Sequence, residues 1–233
     1  MALTPMMRQY LSVKDEFPDA LLFYRIGDFY EMFFEDAQTA SRELELVLTG
    51  RDCGLEQRAP MCGIPYHAAE TYIRKLVEKG YKVAICEQLT DPKENRPLVE
   101  RGVIRVVTPG TVVEQSMLDE KENSFLLAVC VNGQKVGLAY ADVSTGECMA
   151  MALSGGVPAL MSELTRIAPR EIIADEAAAQ ALESVKLAVP VSVFATDAWK
   201  YSQAKADVLE HFHAKTLSAF DLDGEKLAVG ATG

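Results

Sequence analysis

Two apolar, strand-like runs, Leu21-Leu22-Phe23-Tyr24-Arg25-Ile26 and Met32-Phe33-Phe34, lie on either side of Gly27-Asp28, and this is the stretch that leaves the chain fewest options. Glycine at the first central position of a two-residue loop predicts a β-hairpin closed by a type II′ turn, whose twist matches that of the strands it joins. Side chains alternate along a strand, so Phe29, Glu31 and Phe33 are expected on one face and Tyr30, Met32 and Phe34 on the other. Phe29 and Glu31 then stand roughly 6.5–7 Å apart. An aromatic plane beside a carboxylate suits a planar, hydrogen-bonding ligand such as a base. The alternative for Phe29 is a place in the core, where strand phenylalanines usually sit. A carboxylate on the same face speaks against it, because an unpaired Glu is costly in a core.

Either side of the hairpin, the pattern alternates between the two periods. Thr4-Pro5 predicts the start of a helix ending before Pro18, and Glu35 and Asp36 suit the first turn of a helix carrying Ala37, Ala40 and Leu44. A strand over Leu46–Thr49 and a polar loop with Arg51 and Arg58 come next, then an extended Met61–Tyr66, a helix over Ala68–Lys79, and strands over Tyr81–Glu87 and Val103–Val107. Beyond a charged connection, strands are expected over Phe125–Val131, Val136–Val143 and Cys148–Leu153, the first two joined by Asn132-Gly133. Helices over Pro158–Ile167, Ala177–Leu182 and Asp197–Phe212 alternate with strands at 171–174 and 189–194. Gly224–Val229 begins an element with no evident packing partner. The reading is two α/β domains, 1–113 and 124–233, joined by a linker at 114–123.

Charge divides unevenly between them. Residues 1–112 hold 14 Lys and Arg against 17 Asp and Glu, net −3, while residues 113–233 hold 9 against 17, net −8. A polyanion can therefore be met only by a local patch in the first half. No apolar run approaches the roughly 18 residues a membrane span needs, nothing reads as a secretory signal, and the cytoplasm is the expected location. Five scattered cysteines without a C-x-x-C spacing predict idle thiols rather than disulfides or zinc.

Phosphate-cradling and nucleophile-elbow motifs are absent, so no catalytic centre is expected. His211 and His213, two apart on a predicted helix, face different ways and make a poor metal site. His67 reads as a cap or core residue. Asp28, Glu31, Glu35 and Asp36 could be mistaken for a metal-dependent nuclease cluster, but Asp28 and Glu31 face opposite ways and the other two belong to a helix start.

Five blocks together carry a resemblance: Thr4–Leu11, Phe23–Glu31, Met61–His67, Ala84–Gln88 and Val107–Thr111, joined more loosely by Ala141–Gly146. They resemble the amino-terminal part of the bacterial MutS family of DNA mismatch recognition proteins. The resemblance implies a mixed-sheet mismatch recognition domain followed by an RNase H-like α/β connector domain that brings no nuclease activity, with Asp142 as a turn residue. It implies that a Phe-x-Glu motif, here Phe29-Tyr30-Glu31, enters the minor groove of mismatched double-stranded DNA, the Phe stacking on a mispaired base and the Glu hydrogen-bonding to it. Further DNA contacts are implied at Ile26, Arg51 and Met61. The connector is expected to dock a MutL-type partner. ATP, magnesium and dimerisation belong in the family to lever, clamp and ATPase regions that this sequence lacks. The expectation is thus a fragment with no cofactor of its own, monomeric and weak on DNA alone. The alternative is a protein-docking fragment with no DNA binding.

Overall fold

A computed structural model describes residues 2–90, 99–113, 123–185 and 187–233, which divide into two units, Met1–Thr108 and Pro109–Gly233. The linker expected at 114–123 lies outside the described residues except for Asn123.

In the first unit Thr4 accepts a hydrogen bond from the Met7 N–H at 3.4 Å and caps α1 (Pro5–Glu16), whose first-turn proline needs no amide partner. Strands β1 (Ala20–Ile26) and β2 (Phe29–Phe33) form the expected hairpin, with Ile26 paired to Phe29 across Gly27-Asp28. Gly27 has φ +57° and Asp28 is not among the positive-φ residues, the combination a type II′ turn requires. Helix α2 (Phe34–Leu44) follows without a loop, so Phe34, expected to extend the strand, starts the helix at φ 51°. Strands β3 (Thr49–Arg51) and β4 (Ala59–Pro65), helix α3 (Ala69–Glu78), and strands β5 (Lys82–Gln88) and β6 (Arg101–Val107) complete a mixed sheet in the order β3-β4-β2-β1-β5-β6.

The strand expected over Leu46–Thr49 does not form. Helix α2 ends with Glu45 in the left-handed region, where the Leu46 N–H donates to the Ser41 carbonyl at 3.0 Å and the Ser41 hydroxyl donates to the Leu46 carbonyl at 2.6 Å. Leu46 has both backbone groups engaged in ending the helix, and pairing begins only at Thr49.

One face of this sheet carries Leu22, Tyr24, Phe33, Ala59, Ala84 and Cys86, packed with Met7 and Tyr10 of α1. A buried carboxylate stands where β2 gives way to α2. Pairing of β1 with β2 stops at Tyr24–Glu31, so the Leu22 N–H has lost its ladder partner, and it donates to Asp36 Oδ2 at 2.9 Å instead. The same carboxylate accepts from the Tyr10 hydroxyl at 3.3 Å and pairs with Lys14 Nζ at 2.9 Å. Desolvation by burial, reinforced by Asp36, pushes the Tyr10 phenol far up.

The second unit contains β7 (Phe125–Asn132), β8 (Lys135–Asp142) and β9 (Glu147–Ser154) as an antiparallel meander, with β10 (Glu171–Ala174) and β11 (Val191–Val193) added in parallel, in the order β11-β10-β7-β8-β9. Its first turn is Gly133-Gln134, one residue later than expected, because Asn132 still pairs with Lys135. Helices α4 (Gly156–Ile167) and α5 (Glu176–Glu183) pack with the large residues of one sheet face, among them Leu127, Val129, Val136 and Leu138.

On the opposite face the side chains are small. Ala128, Cys130, Gly137, Ala139 and Ala150 let α7 (Lys226–Thr232), flanked by α6 (Tyr201–His211), lie against the strands. The segment Gly224–Val229 therefore has the partner that its sequence does not reveal. The helix expected over Asp197–Phe212 is interrupted. Lys200 is extended (φ −66°, ψ 116°), leaving Thr196–Trp199 as a 3₁₀ turn in which the Trp199 indole donates to the Phe194 carbonyl at 3.1 Å.

Asp142 closes the second turn of the meander. Its carboxylate accepts from the Ser144 hydroxyl (2.6 Å) and from the N–H groups of Ser144 (2.9 Å), Ser124 (3.1 Å) and Thr145 (3.3 Å). Burial pushes this carboxyl up, but the four donors outweigh burial and hold it below the usual carboxylate range. Its stabilisation is therefore present above the carboxyl's unfolded pKa and is lost as pH falls through the lowered folded value. Asp142→Ala is expected to cost about 2 kcal/mol at neutral pH. The difference between mutant and wild type in urea midpoint should shrink towards zero in acid; a constant difference would refute this account of the turn.

Candidate nucleic-acid interface

Strand alternation and register decide where the expected site residues fall. Ile26 pairs with Phe29, Glu31 with Gly63, Phe33 with Met61, and Arg51 with Ala59. All five expected residues, Ile26, Phe29, Glu31, Arg51 and Met61, thus lie on the same sheet face, the one packed by α1, and Ile26 and Met61 border its core. Phe29, at the end of the hairpin, is 47% exposed, so the core alternative for it fails. An exposed aromatic on the first residue of a strand is available for contact.

Glu31 is not the unpaired carboxylate that the sequence suggests. Its side chain is only 14% exposed and forms an ion pair and hydrogen bond with the Arg51 guanidinium across β4. Gly63 lies directly across from Glu31: a Cβ built there would sit 3.5 Å from Glu31 Cγ and 3.3 Å from the Tyr30 carbonyl. The site therefore presents an aromatic ring, a carboxylate already held by a guanidinium, and two apolar neighbours.

Beneath the turn, on the opposite face, stand residues that the sequence did not single out. Arg25 Nε donates to the Gly27 carbonyl at 2.6 Å, and the guanidinium lies 3.8 Å from the Tyr66 ring centroid and 3.3 Å from Glu87 Oε1. The Tyr30 hydroxyl donates to the same carboxylate, and the Tyr66 N–H donates to the Asp28 carbonyl at 2.9 Å. Burial, then the Glu87 carboxylate, pushes the Tyr30 phenol up to about 12, so it stays a donor at neutral pH. Charged Arg25 and Glu87 inside otherwise apolar strands were the available signal. Near Ile26, Arg101 Nε donates to the Arg25 carbonyl at 2.7 Å and Arg101 Nη1 to Gln9 Oε1 at 3.2 Å, tying β6 and α1 to the same strand end.

The four acids considered as a nuclease cluster do not converge. Asp28 is exposed on the turn, Glu31 is held by Arg51, Glu35 is exposed, and Asp36 is buried against Lys14. Among the described residues no three His, Cys, Asp or Glu side chains could hold a metal ion, and no helix is long and apolar enough to cross a membrane. His67 is exposed in a 3₁₀ turn (Tyr66–Ala68), edge-on to Tyr66, and is not a core residue. His211 ends α6 and His213 lies beyond it at φ 50°. Four cysteines are buried and Cys148 is exposed.

Two family descriptions cover nearly the whole chain, MutS domain I over residues 4–116 and MutS domain II over residues 124–233. The chain belongs to the MutS family of DNA mismatch repair proteins. Among its relatives is the DNA mismatch repair protein MutS of Clostridium beijerinckii, 48% identical over 213 residues, which are 91% of this chain and 23% of that protein. The MutS of Ruminiclostridium cellulolyticum is 46% identical over 237 residues, 99% of this chain and 27% of that protein. A Clostridium botulinum MutS reaches 54% over 176 residues, 76% of this chain and 19% of that protein. The chain spans about a quarter of the length of these MutS relatives. The exposed hairpin end of the first unit lies inside the MutS domain I match, and the meander with α7 inside the domain II match.

Proposed function

We propose that this chain is the mismatch-sensing and connecting part of a MutS protein, in which Phe29 wedges into a base step from the minor groove and Glu31 accepts a hydrogen bond from the mispaired base. The observation that supports this most is the exposed Phe29 ring at the end of a braced hairpin, on the same face as the Glu31 carboxylate. Unstacking a base step costs a few kcal/mol, and stacking on an aromatic ring returns about 1–3 kcal/mol per base. On matched duplex that balance is unfavourable. A mispair is poorly hydrogen-bonded and kinks more readily, so the cost falls while the return remains, and preference arises from deformability.

Arg51 changes the part played by Glu31. A bare carboxylate near phosphates would repel the duplex, whereas one neutralised by a guanidinium offers an acceptor with little net charge. Ile26, paired with Phe29 across the turn, supplies apolar contact beside the ring, and Met61 and Arg51, farther along the same face, are read as further contacts to the duplex. The test is Phe29→Ala in a full-length MutS carrying this sequence, titrated against mismatched and matched duplex. Loss of about 1–3 kcal/mol of stacking should cut the preference by roughly 5- to 150-fold. Unchanged preference would sink the reading.

In this reading the second unit docks a MutL-type partner, supported by its resemblance to the family's connector and by the net −8 of its half of the chain. Failure of the isolated 109–233 segment, checked for folding, to retain MutL in a pull-down would count against it. ATP, magnesium and dimer formation belong to the remaining three quarters of a protein of the relatives' length, acting in the cytoplasm. The 233 residues alone bind DNA weakly because their net charge is −11.

A further inference from the structure

We infer that Glu87, two strands away from the hairpin arm that carries Phe29, is a positioning residue for mismatch sensing: it holds Arg25 against the Gly27-Asp28 turn and so fixes the direction in which Phe29 projects. The inference rests on the reading of Phe29 as the probing ring.

The turn is exposed at both residues and nothing lies within 4 Å of a Cβ built on Gly27, so side-chain packing does not immobilise it. What holds it is backbone hydrogen bonding from below. The Gly27 carbonyl accepts from Arg25 Nε at 2.6 Å, and the Asp28 carbonyl from the Tyr66 N–H at 2.9 Å. Both carbonyls of the two-residue loop are therefore engaged, one by a side chain that needs an anchor of its own.

That anchor has two parts. The guanidinium plane lies over the Tyr66 ring at 3.8 Å, and Glu87 Oε1 stands 3.3 Å from Nη1. The same carboxylate takes the Tyr30 hydroxyl, and Tyr30 is the neighbour of Phe29 pointing to the other face. Arg25 is mostly buried, with 17% of its side chain exposed, and Glu87 is at 26%. A charge-assisted bond in so shielded a place is stronger and better oriented than a surface pair. The Glu87 carboxylate thus grips both strands of the hairpin from β5, one through Arg25 and one through Tyr30. A ring that must enter a base step gains from this, because misplacement of a reacting or stacking group by about 1 Å can cost as much as 100-fold.

The test uses Glu87→Gln, which keeps size and an acceptor for Tyr30 but removes the charge facing Arg25, in full-length MutS carrying this sequence. Tyr66→Leu, at an exposed position, removes the ring beneath the guanidinium and serves as the second variant. Each is expected to lower the ratio of mismatched to matched affinity about tenfold while matched-duplex affinity stays unchanged, measured well below a melting temperature that Glu87→Gln, by leaving Arg25 a neutral partner, is expected to lower. In a Phe29→Ala background neither should lower the ratio further, since no ring is left to aim. An unchanged ratio in both variants overturns the inference. So does equal weakening on both duplexes, or a drop that persists without Phe29. If Phe29→Ala itself leaves the ratio intact, it is the reading of Phe29 that has failed, and that outcome is distinct from a failure of Glu87 alone.

Discussion

Replacing Asp36 by alanine is expected to lower the unfolding free energy by about 3 kcal/mol, read as a fall in the urea midpoint at unchanged slope. The carboxylate satisfies three groups from two elements: the Leu22 N–H of β1, and the Tyr10 hydroxyl and Lys14 ammonium of α1. Its loss leaves the Leu22 amide unpaired in the core and removes the polar tie between α1 and the start of α2. Breaking a buried ion pair typically costs about 3–5 kcal/mol. Lys14 retains the Pro18 and Ala20 carbonyls at 3.1 and 2.6 Å, which sets the expectation at the lower end. Asp36→Asn should lose about half as much, because its amide oxygen can still accept from Leu22. A surface pair such as Arg74–Glu78, by contrast, contributes only about 0.3–0.5 kcal/mol, so a shift that small for Asp36→Ala would show the network to be dispensable.

Gly137→Ala should release α7 from the second sheet. A Cβ at that position would lie 2.1 Å from the Leu227 carbonyl carbon, 2.3 Å from its oxygen and 2.5 Å from the Ala228 nitrogen, all of them backbone atoms. Overpacking usually costs about 1–3 kcal/mol when side chains can shift, and more when they cannot. Here a helix must move as a body. The readout is thiol accessibility. Cys130 lies on the face that α7 covers, its thiol donating to the Leu227 carbonyl at 3.2 Å, and burial pushes it up to about 12. Wild type should react rapidly at one cysteine, the exposed Cys148, and Gly137→Ala at two. A single reactive thiol in the mutant would mean that α7 tolerates the methyl group.

What the sequence made legible follows from the range of each interaction. The Gly27-Asp28 hairpin and the shared face of Phe29 and Glu31 are local, set by a two-residue turn and a period of two, and both stand as read. Glu31's partner was illegible because it depends on register across a third strand. Arg51 is twenty residues away on a strand of three residues, next to an apolar Leu46-Val47-Leu48 that drew the strand assignment away from it. Val47 is 79% exposed; apolarity there does not mean burial. Helix α7 was missed for a similar reason. The groove that receives it is made of Ala128, Cys130, Gly137, Ala139 and Ala150 on three strands, and none of these is distinctive until the strands are aligned. The brace of Arg25, Glu87, Tyr30 and Tyr66 likewise joins three strands and the turn after β4, although charged residues in apolar strands hinted at it.

The claim that Phe29 stacks on the mispaired base is tested most directly by the emission of a 2-aminopurine placed at the mispair, since that emission reports base stacking. Full-length MutS carrying this sequence, at saturation, should change the emission on mismatched duplex and leave it unchanged on matched duplex. Phe29→Ala at saturation should give no change on either. Equal changes from the wild type and Phe29→Ala would contradict the account.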